Sequence, residues 1–391
     1  MLLFFYPSSF FESAYYPAFG HAGIFKEIDD MWSFDLDEGR NADWMDTIED
    51  DVFLTDLSIP GTHNSMTYTV ASGLAQTQNV PLAEQLIAGI RYIDISCRYI
   101  NHKMMVYNGL TDTGYSLQHV LTTLFDFLNE HPSEAVILRI QKGGILDDSN
   151  KFLRSMDRHF LPSFEFGDLA LDYIYSRDTN EDTIPTLGEV RGKVLILQDF
   201  KTSPPGRYGI PWNSHTVSSY NHRLTAGTLL LKLRWARIKS HLSRGRSKDL
   251  NKLRITHTTA SAGVKPISFS TRHYDGFGIN RLLGRYLSLG RGKCFGVVVM
   301  DFPGYYLVNH ILMLNEEFQV PEATDFSSNL GDVPAAEVYV PAEEVHVPTA
   351  EVFDFSEVYD GDTPHVEASD DEASDYEVSD GDDGRPSGLA R

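Results

Sequence analysis

Cysteine is nearly missing from this chain. Cys97 and Cys294 are the only two in 391 residues, too few for a disulfide framework, and no C-x-x-C or Cys/His spacing suits zinc. No N-x-S/T sequon occurs, and no run of about 18 apolar residues could form a transmembrane helix. The first 25 residues are apolar and aromatic, but they lack a basic start and break at Pro7, so they do not read as a signal peptide. These absences predict a cytoplasmic protein with free thiols that meets a membrane, if at all, only peripherally.

Charge is present in excess, but at one end. Residues 321–391 hold 20 Asp and Glu against 2 Arg and carry -18 of the total -22. The remaining body is near balance and rich in aromatics, as a large buried core requires. Short apolar runs alternate there with helical stretches: Phe53–Ile59, Ile90–Ser96, Met104–Tyr107, Ala135–Gln141, Val194–Asp199, Arg254–Thr258 and Gly296–Asp301 read as strands. Between the third and fourth, Leu117, Val120, Leu121, Leu124, Phe125 and Leu128 fall on one helical face behind Ser116 as N-cap. Such alternation predicts parallel strands with crossover helices and, at this length, an α/β chain folded as an irregular (β/α)8 TIM-type barrel. The expected organisation is an aromatic-rich head at 1–43, poorly ordered or packed on the barrel, the barrel at 44–318, and a disordered acidic C-terminal tail at 319–391. In such a barrel His63, Ser96, Asn108, Gln141, Asp199 and Asp301 would all sit at strand ends around one mouth.

Two segments stand apart. Lys232 to Arg254 holds nine Lys and Arg among Leu233, Trp235, Ile238 and Leu242. It reads either as a solvated barrel helix with its loop or as a basic amphipathic surface for anionic lipid. Nucleic acid is not expected, because no recognition motif accompanies the charge. The tail opens with the VPxxEV repeat "VPAAEVY", "VPAEEVH", "VPTAEVF", whose prolines exclude a coiled coil. Its acidity suggests intramolecular docking on the basic segment.

The sharpest motif is "LSIPGTHNS", with "LAEQLIAGIRYIDISCR", "MMVYNG", "FLNEHPSEAVILRIQK", "TLGEVRGKVLILQDF" and "VVVMDFPG" following in order. Together they resemble the X-domain barrel of phosphatidylinositol-specific phospholipase C, in particular the metal-independent bacterial enzymes and the fungal phospholipase C-like phosphodiesterases. The resemblance implies a phosphoinositide or related phosphodiester headgroup as ligand. In that family one histidine takes the proton of the inositol 2-hydroxyl, which attacks phosphorus, while a second histidine protonates the leaving oxygen. A carboxylate orients each, and an arginine balances the phosphate charge.

On this resemblance His63 is the general base and Asp301 its orienting carboxylate. The other half departs from the pattern. Asn108 stands where the general-acid histidine is expected, Asn64 where its carboxylate is, and Ser96 where the arginine is; Arg98, Gln141 and Asp199 are read as facing substrate. Asparagine delivers no proton at neutral pH, and serine balances no charge. Calcium is not expected in compensation: only Asn64 and Asp94 remain as candidate ligands, and calcium takes six to eight oxygens. No other cofactor is implied. A positioned acid is worth roughly 10²- to 10⁴-fold and a preorganised charge about 10²- to 10³-fold. Turnover of the natural lipid is therefore expected to be impaired, and a catalytically inactive headgroup-binding or scaffold protein is the alternative.

Overall fold

A computed structural model describes residues 32–144, 148–176, 183–221, 228–243, 252–260, 264–271, 278–289 and 294–320. Residues 321–391 of the acidic tail, the first 31 residues and residues 244–251 of the basic segment lie outside the described residues, so the expectations of a disordered tail and of its docking concern residues not described.

In chain order the elements are β1 (Ser58–Thr62), α1 (Leu82–Ile87), β2 (Tyr92–Ile100), β3 (Lys103–Asn108), β4 (Thr111–Ser116), α2 (Leu117–Glu130), β5 (Ala135–Lys142), α3 (Ser149–Phe160) and α4 (Glu165–Tyr173). Then come α5 (Leu187–Val190), β6 (Lys193–Asp199), β7 (Ile210–Pro211), β8 (Val217–Tyr220), α6 (Thr228–Leu242), β9 (Leu253–His257), α7 (Pro266–Ser270), α8 (Ile279–Ser288), β10 (Gly296–Met300) and α9 (Tyr305–Leu312). Eight strands pair in the order β7-β6-β5-β2-β1-β10-β9-β8, and every neighbouring pair is parallel. The result is a nearly closed α/β barrel whose seam lies between β7 and β8, as the alternation of strands and helices predicts.

Strands covered on both faces need apolar residues on both, which explains runs such as "AVILRI" in β5. Ile59, Tyr92, Ile137, Leu195, Leu197, Ile255, Val297 and Val299 fill the barrel. Their neighbours Ile93, Ile95, Leu138, Ile140, Ile196, Val298 and Met300 face the helices. Met45, Ile48, Val52 and Leu54 pack with Leu57, Ala135 and Leu253 at the N-terminal strand ends. Arg191 ties this plug down by donating to the carbonyls of Met45, Ile48 and Ser133. At β1, Gly61 is required because a Cβ there would lie 2.8 Å from the Tyr92 side chain.

Several sequence expectations shift. The first strand starts at Ser58 rather than Phe53, because 54–57 turn instead of extending. Met104–Tyr107 lies within β3, which is no barrel stave: it pairs antiparallel with β2 and β4, forming a hairpin excursion. The polar strands β4 and β8 and the two-residue β7 went unread. Helix α2 starts as predicted, with the Ser116 side chain accepting from the His119 backbone N–H. Trp32, Phe34 and Leu36, placed by sequence in the head, are buried; Trp32 packs on Tyr306 and His310. In the basic segment α6 gives Ile238 and Leu242 to the core, while Arg234 is buried over the Phe269 ring. Ile238 and Leu242 are thus spent on the barrel, while Leu233 stays exposed and Trp235 is partly buried. No helix of the described residues is long and apolar enough to cross a membrane.

Candidate active site

Side chains alternate along a strand, so the residues continuing the barrel-filling rows decide what faces the mouth. Beyond Ile59 and Gly61 comes His63; beyond Tyr92 come Asp94 and Ser96; beyond Ile137 come Arg139 and Gln141. Likewise Asp199 follows Leu197, His257 follows Ile255, and Asp301 follows Val299. His63, Gln141, Asp199, His257 and Asp301 stand at or just past C-terminal strand ends, the end where barrels of this kind carry their chemistry, while Asp94, Ser96 and Arg139 lie within the longer β2 and β5.

The predicted pair is formed. His63 Nδ1 lies 2.8 Å from Asp301 Oδ1, and the wholly buried Asp301 accepts a second hydrogen bond from the Ala260 N–H at 2.7 Å. With Nδ1–H donated to the carboxylate, the Nε2 lone pair is left as the basic site. Burial alone would lower the His63 pKa; the charge and hydrogen bond of Asp301, with help from Asp94, outweigh it and raise the value above the ordinary 6.5. The supporting layer is polar and fixed. Thr77 Oγ1 and Gln78 Nε2 both donate to the His63 carbonyl, at 2.8 and 3.0 Å. Buried Asn280 directs its amide at the carbonyls of Asp301 and Phe302, 3.0 Å from each. The residue after each partner is left-handed, Asn64 at φ 43° and Phe302 at φ 47°. Such conformations persist only where surrounding contacts impose them, and here they turn the chain aside just past the two functional side chains.

Asn64 turns towards its neighbour: its Nδ2 lies 3.0 Å from His63 Nε2. The amide therefore donates to the lone pair that a base would use. Asn108, at the end of β3, donates its amide to the Ala75 carbonyl at 2.7 Å. Ser96 and Gln141 are paired across β2 and β5. Arg98 lies two residues beyond Ser96 on the same face, with its guanidinium 5.0 Å above the Tyr107 ring.

Two residues that sequence reasoning missed occupy the floor. Arg139 Nη2 donates to Asp199 at 2.6 Å and Nη1 approaches Asp94 at 3.4 Å, while its guanidinium stacks 3.7 Å from the Trp212 ring centroid. Burial works against its charge, but Asp94, Tyr92 and Asp199 more than offset that and hold it protonated. Gln141 Nε2 completes the cluster by donating to Asp94 at 2.8 Å. His257 is wholly buried, its ring edge-on to His63 with centroids 5.9 Å apart. Neither of its ring nitrogens meets a hydrogen-bonding partner among the described residues. Burial, reinforced by Arg139 and His63, drives its pKa well below 6.5, so it is neutral at physiological pH. A period-two reading of "ILRIQ" and "RITH" would have found both, since each shares a face with a barrel-filling residue.

Of the two weak calcium candidates, Asp94 contacts Arg139 and Gln141, and Asn64 faces His63. Among the described residues no group of three His, Cys, Asp or Glu is placed to hold a metal.

The class defined by this fold and site is a parallel α/β barrel with a carboxylate-oriented imidazole at its mouth and no imidazole at Asn108 to complement it. A model of the phosphatidylinositol-specific phospholipase C X domain matches residues 54–199. A 1-phosphatidylinositol phosphodiesterase of Listeria monocytogenes is 31% identical over 292 residues, covering 70% of this chain and 84% of its own length. Human PI-PLC X domain-containing protein 1 is 28% identical over 194 residues, 40% of this chain and 56% of that protein. Among solved structures, the phosphatidylinositol-specific phospholipase C of Listeria monocytogenes superposes with a TM-score of 0.60 at 26% identity, over 71% of this chain and 99% of that one. That of Staphylococcus aureus, at 19% identity and TM-score 0.56 over 72% and 99%, shares the fold. The chain belongs to the phosphatidylinositol-specific phospholipase C family.

Proposed function

We propose that this chain is a phospholipase C-type phosphodiesterase for inositol-phospholipid headgroups whose base half works and whose acid half is lost. The observation that carries the reading is the His63–Asp301 pair, intact at 2.8 Å, taken with Asn108 and Ser96, which by resemblance stand where the family has its acid and cation. In this reading His63 Nε2 takes the proton of a headgroup hydroxyl as its oxygen bonds to phosphorus, and Asp301 holds the imidazolium that forms. The leaving oxygen departs without a proton, because an amide at Asn108 cannot supply one. Arg98, two residues beyond Ser96 on the same face of β2, is the candidate cation in place of the lost arginine. Arg139, held between two aspartates, shapes the floor instead.

A second reading, a headgroup-binding scaffold without turnover, is favoured by one contact: the Asn64 amide occupies the lone pair of His63. One experiment separates the two. Turnover of an inositol phosphodiester with an aryl leaving group, which needs no proton, is compared in wild type and His63→Ala. The phosphodiesterase reading expects measurable turnover, greater than on phosphatidylinositol, that vanishes in the variant. Equal background in both proteins would refute it and leave the scaffold.

A further inference from the structure

A cavity of about 580 Å³ lies outside the barrel, between the turn of the β2–β3 hairpin, the first turn of α2 and the last turn of α3. Its size suits a small ligand. Apart from the phenol of Tyr115, every ionisable side chain lining it is basic: Lys103, Arg158, His102, His119 and His159. No carboxylate joins them, although acids and bases are near balance in the body of the chain, at 35 and 31 over residues 1–320.

Lys103 and Arg158 are exposed and neither forms an ion pair among the described residues, in contrast to Arg91, Arg139, Arg191 and Arg207. His159 donates Nδ1–H to the Ser155 carbonyl at 2.7 Å, which leaves Nε2 as its remaining polar atom. His119 stacks on Tyr115 with centroids 5.0 Å apart, and Phe166 stands edge-on to His159 at 5.8 Å. Two uncompensated cations thus flank a pair of imidazoles fixed against aromatic rings. A phosphate group would satisfy the cations by charge-assisted hydrogen bonds, and the carbon skeleton attached to it would lie on Tyr115 and Phe166.

We propose that this cleft is a second binding site, separate from the barrel mouth, for a small phosphate monoester held between Lys103 and Arg158. The ligand is either a soluble phosphorylated metabolite or the monoester headgroup of a lipid. The site uses no residue of the His63 cluster and stands whether or not that cluster turns substrate over.

The test uses the full chain and Lys103→Glu/Arg158→Glu, in which two exposed side chains without carboxylate partners are reversed. Ring signals of His119 and His159 are followed by NMR during titration with inorganic phosphate and with glycerol 3-phosphate, while the His63 ring reports the mouth. In parallel, sedimentation with phosphatidylcholine vesicles is compared with and without phosphatidic acid. The expected result is saturable movement of the His119 and His159 signals, weakened about tenfold or more by the double variant, as loss of charge-assisted contacts requires. Movement with soluble ligand alone assigns a metabolite; phosphatidic acid-dependent sedimentation lost in the variant assigns a headgroup. Unmoved cleft signals together with vesicle binding equal in both proteins overturn the proposal, as does movement that the variant leaves unchanged. Should charge reversal unfold the chain, Lys103→Gln/Arg158→Gln serves instead.

Discussion

Replacing Arg139 by methionine should cost more than any other single change at the mouth. The substitution leaves Asp94 wholly buried with Gln141 as its remaining side-chain partner, and removes the 2.6 Å contact to the more exposed Asp199. Breaking a buried pair by deleting one member costs about 3–5 kcal/mol. Because the Asp94 contact is long, at 3.4 Å, the lower part of that range applies. Losing the desolvated stack on Trp212 adds roughly 1–2 kcal/mol. A total of about 4 kcal/mol is a large share of the 5–15 kcal/mol typical of a folded domain. Most of it reflects an orphaned charge rather than lost packing, so adding Asp94→Asn to the Arg139→Met variant should recover about 2 kcal/mol. Urea unfolding followed by far-UV circular dichroism measures all four corners of the cycle. A single variant less than about 1 kcal/mol below wild type, or a double variant no more stable than the single, would refute the reasoning.

The pH dependence of the aryl-ester reaction should show a limb that rises with pH through a value above 6.5, since His63 acts deprotonated and Asp301 raises its pKa. Asp301→Asn should move that limb to lower pH and lower the plateau by roughly 10²- to 10⁴-fold; a limb that stays put would remove Asp301 from the mechanism. Stability should peak near the ordinary histidine value, because the two imidazoles pull opposite ways. His63, with a raised pKa, contributes fully below 6.5 and loses its contribution as pH climbs through its folded value. His257, with a depressed pKa, contributes fully above 6.5 and loses about 1.4 kcal/mol per pH unit below it until its folded value is reached. Chemical denaturation from pH 5 to 8 measures both limbs, and His257→Phe should flatten the acid one; an unchanged acid limb would show that other groups control it.

What the sequence disclosed follows from which signals are local. Apolar runs such as those of β5, β6 and β10 and the one-sided face of α2 carry their structure in their own residues. The polar β4 and β8 and the two-residue β7 owe theirs to neighbours, and no periodicity marks two residues such as Ile210 and Pro211. At the site, His63 and Asp301 were legible from their motifs although 238 residues separate them. Arg139 was hidden because a charge inside an apolar strand reads as an interruption until the barrel shows that its face converges on Asp94 and Asp199. The contact between Asn64 and His63 depends on a left-handed backbone angle that composition does not announce.

Among the described residues, the seam between β7 and β8 makes this barrel, strictly, a curled ribbon with two selvedges. A free strand edge invites pairing with a stranger chain, and proteins blunt such edges by shortness and proline. Here one selvedge is only Ile210 and Pro211, and the proline has no N–H to offer. A ladder with another molecule would have to begin on two residues and stall at the second. Among the described residues the β7 edge therefore offers a stranger almost no template, and what can be templated there is left to the four residues of β8, Val217–Tyr220.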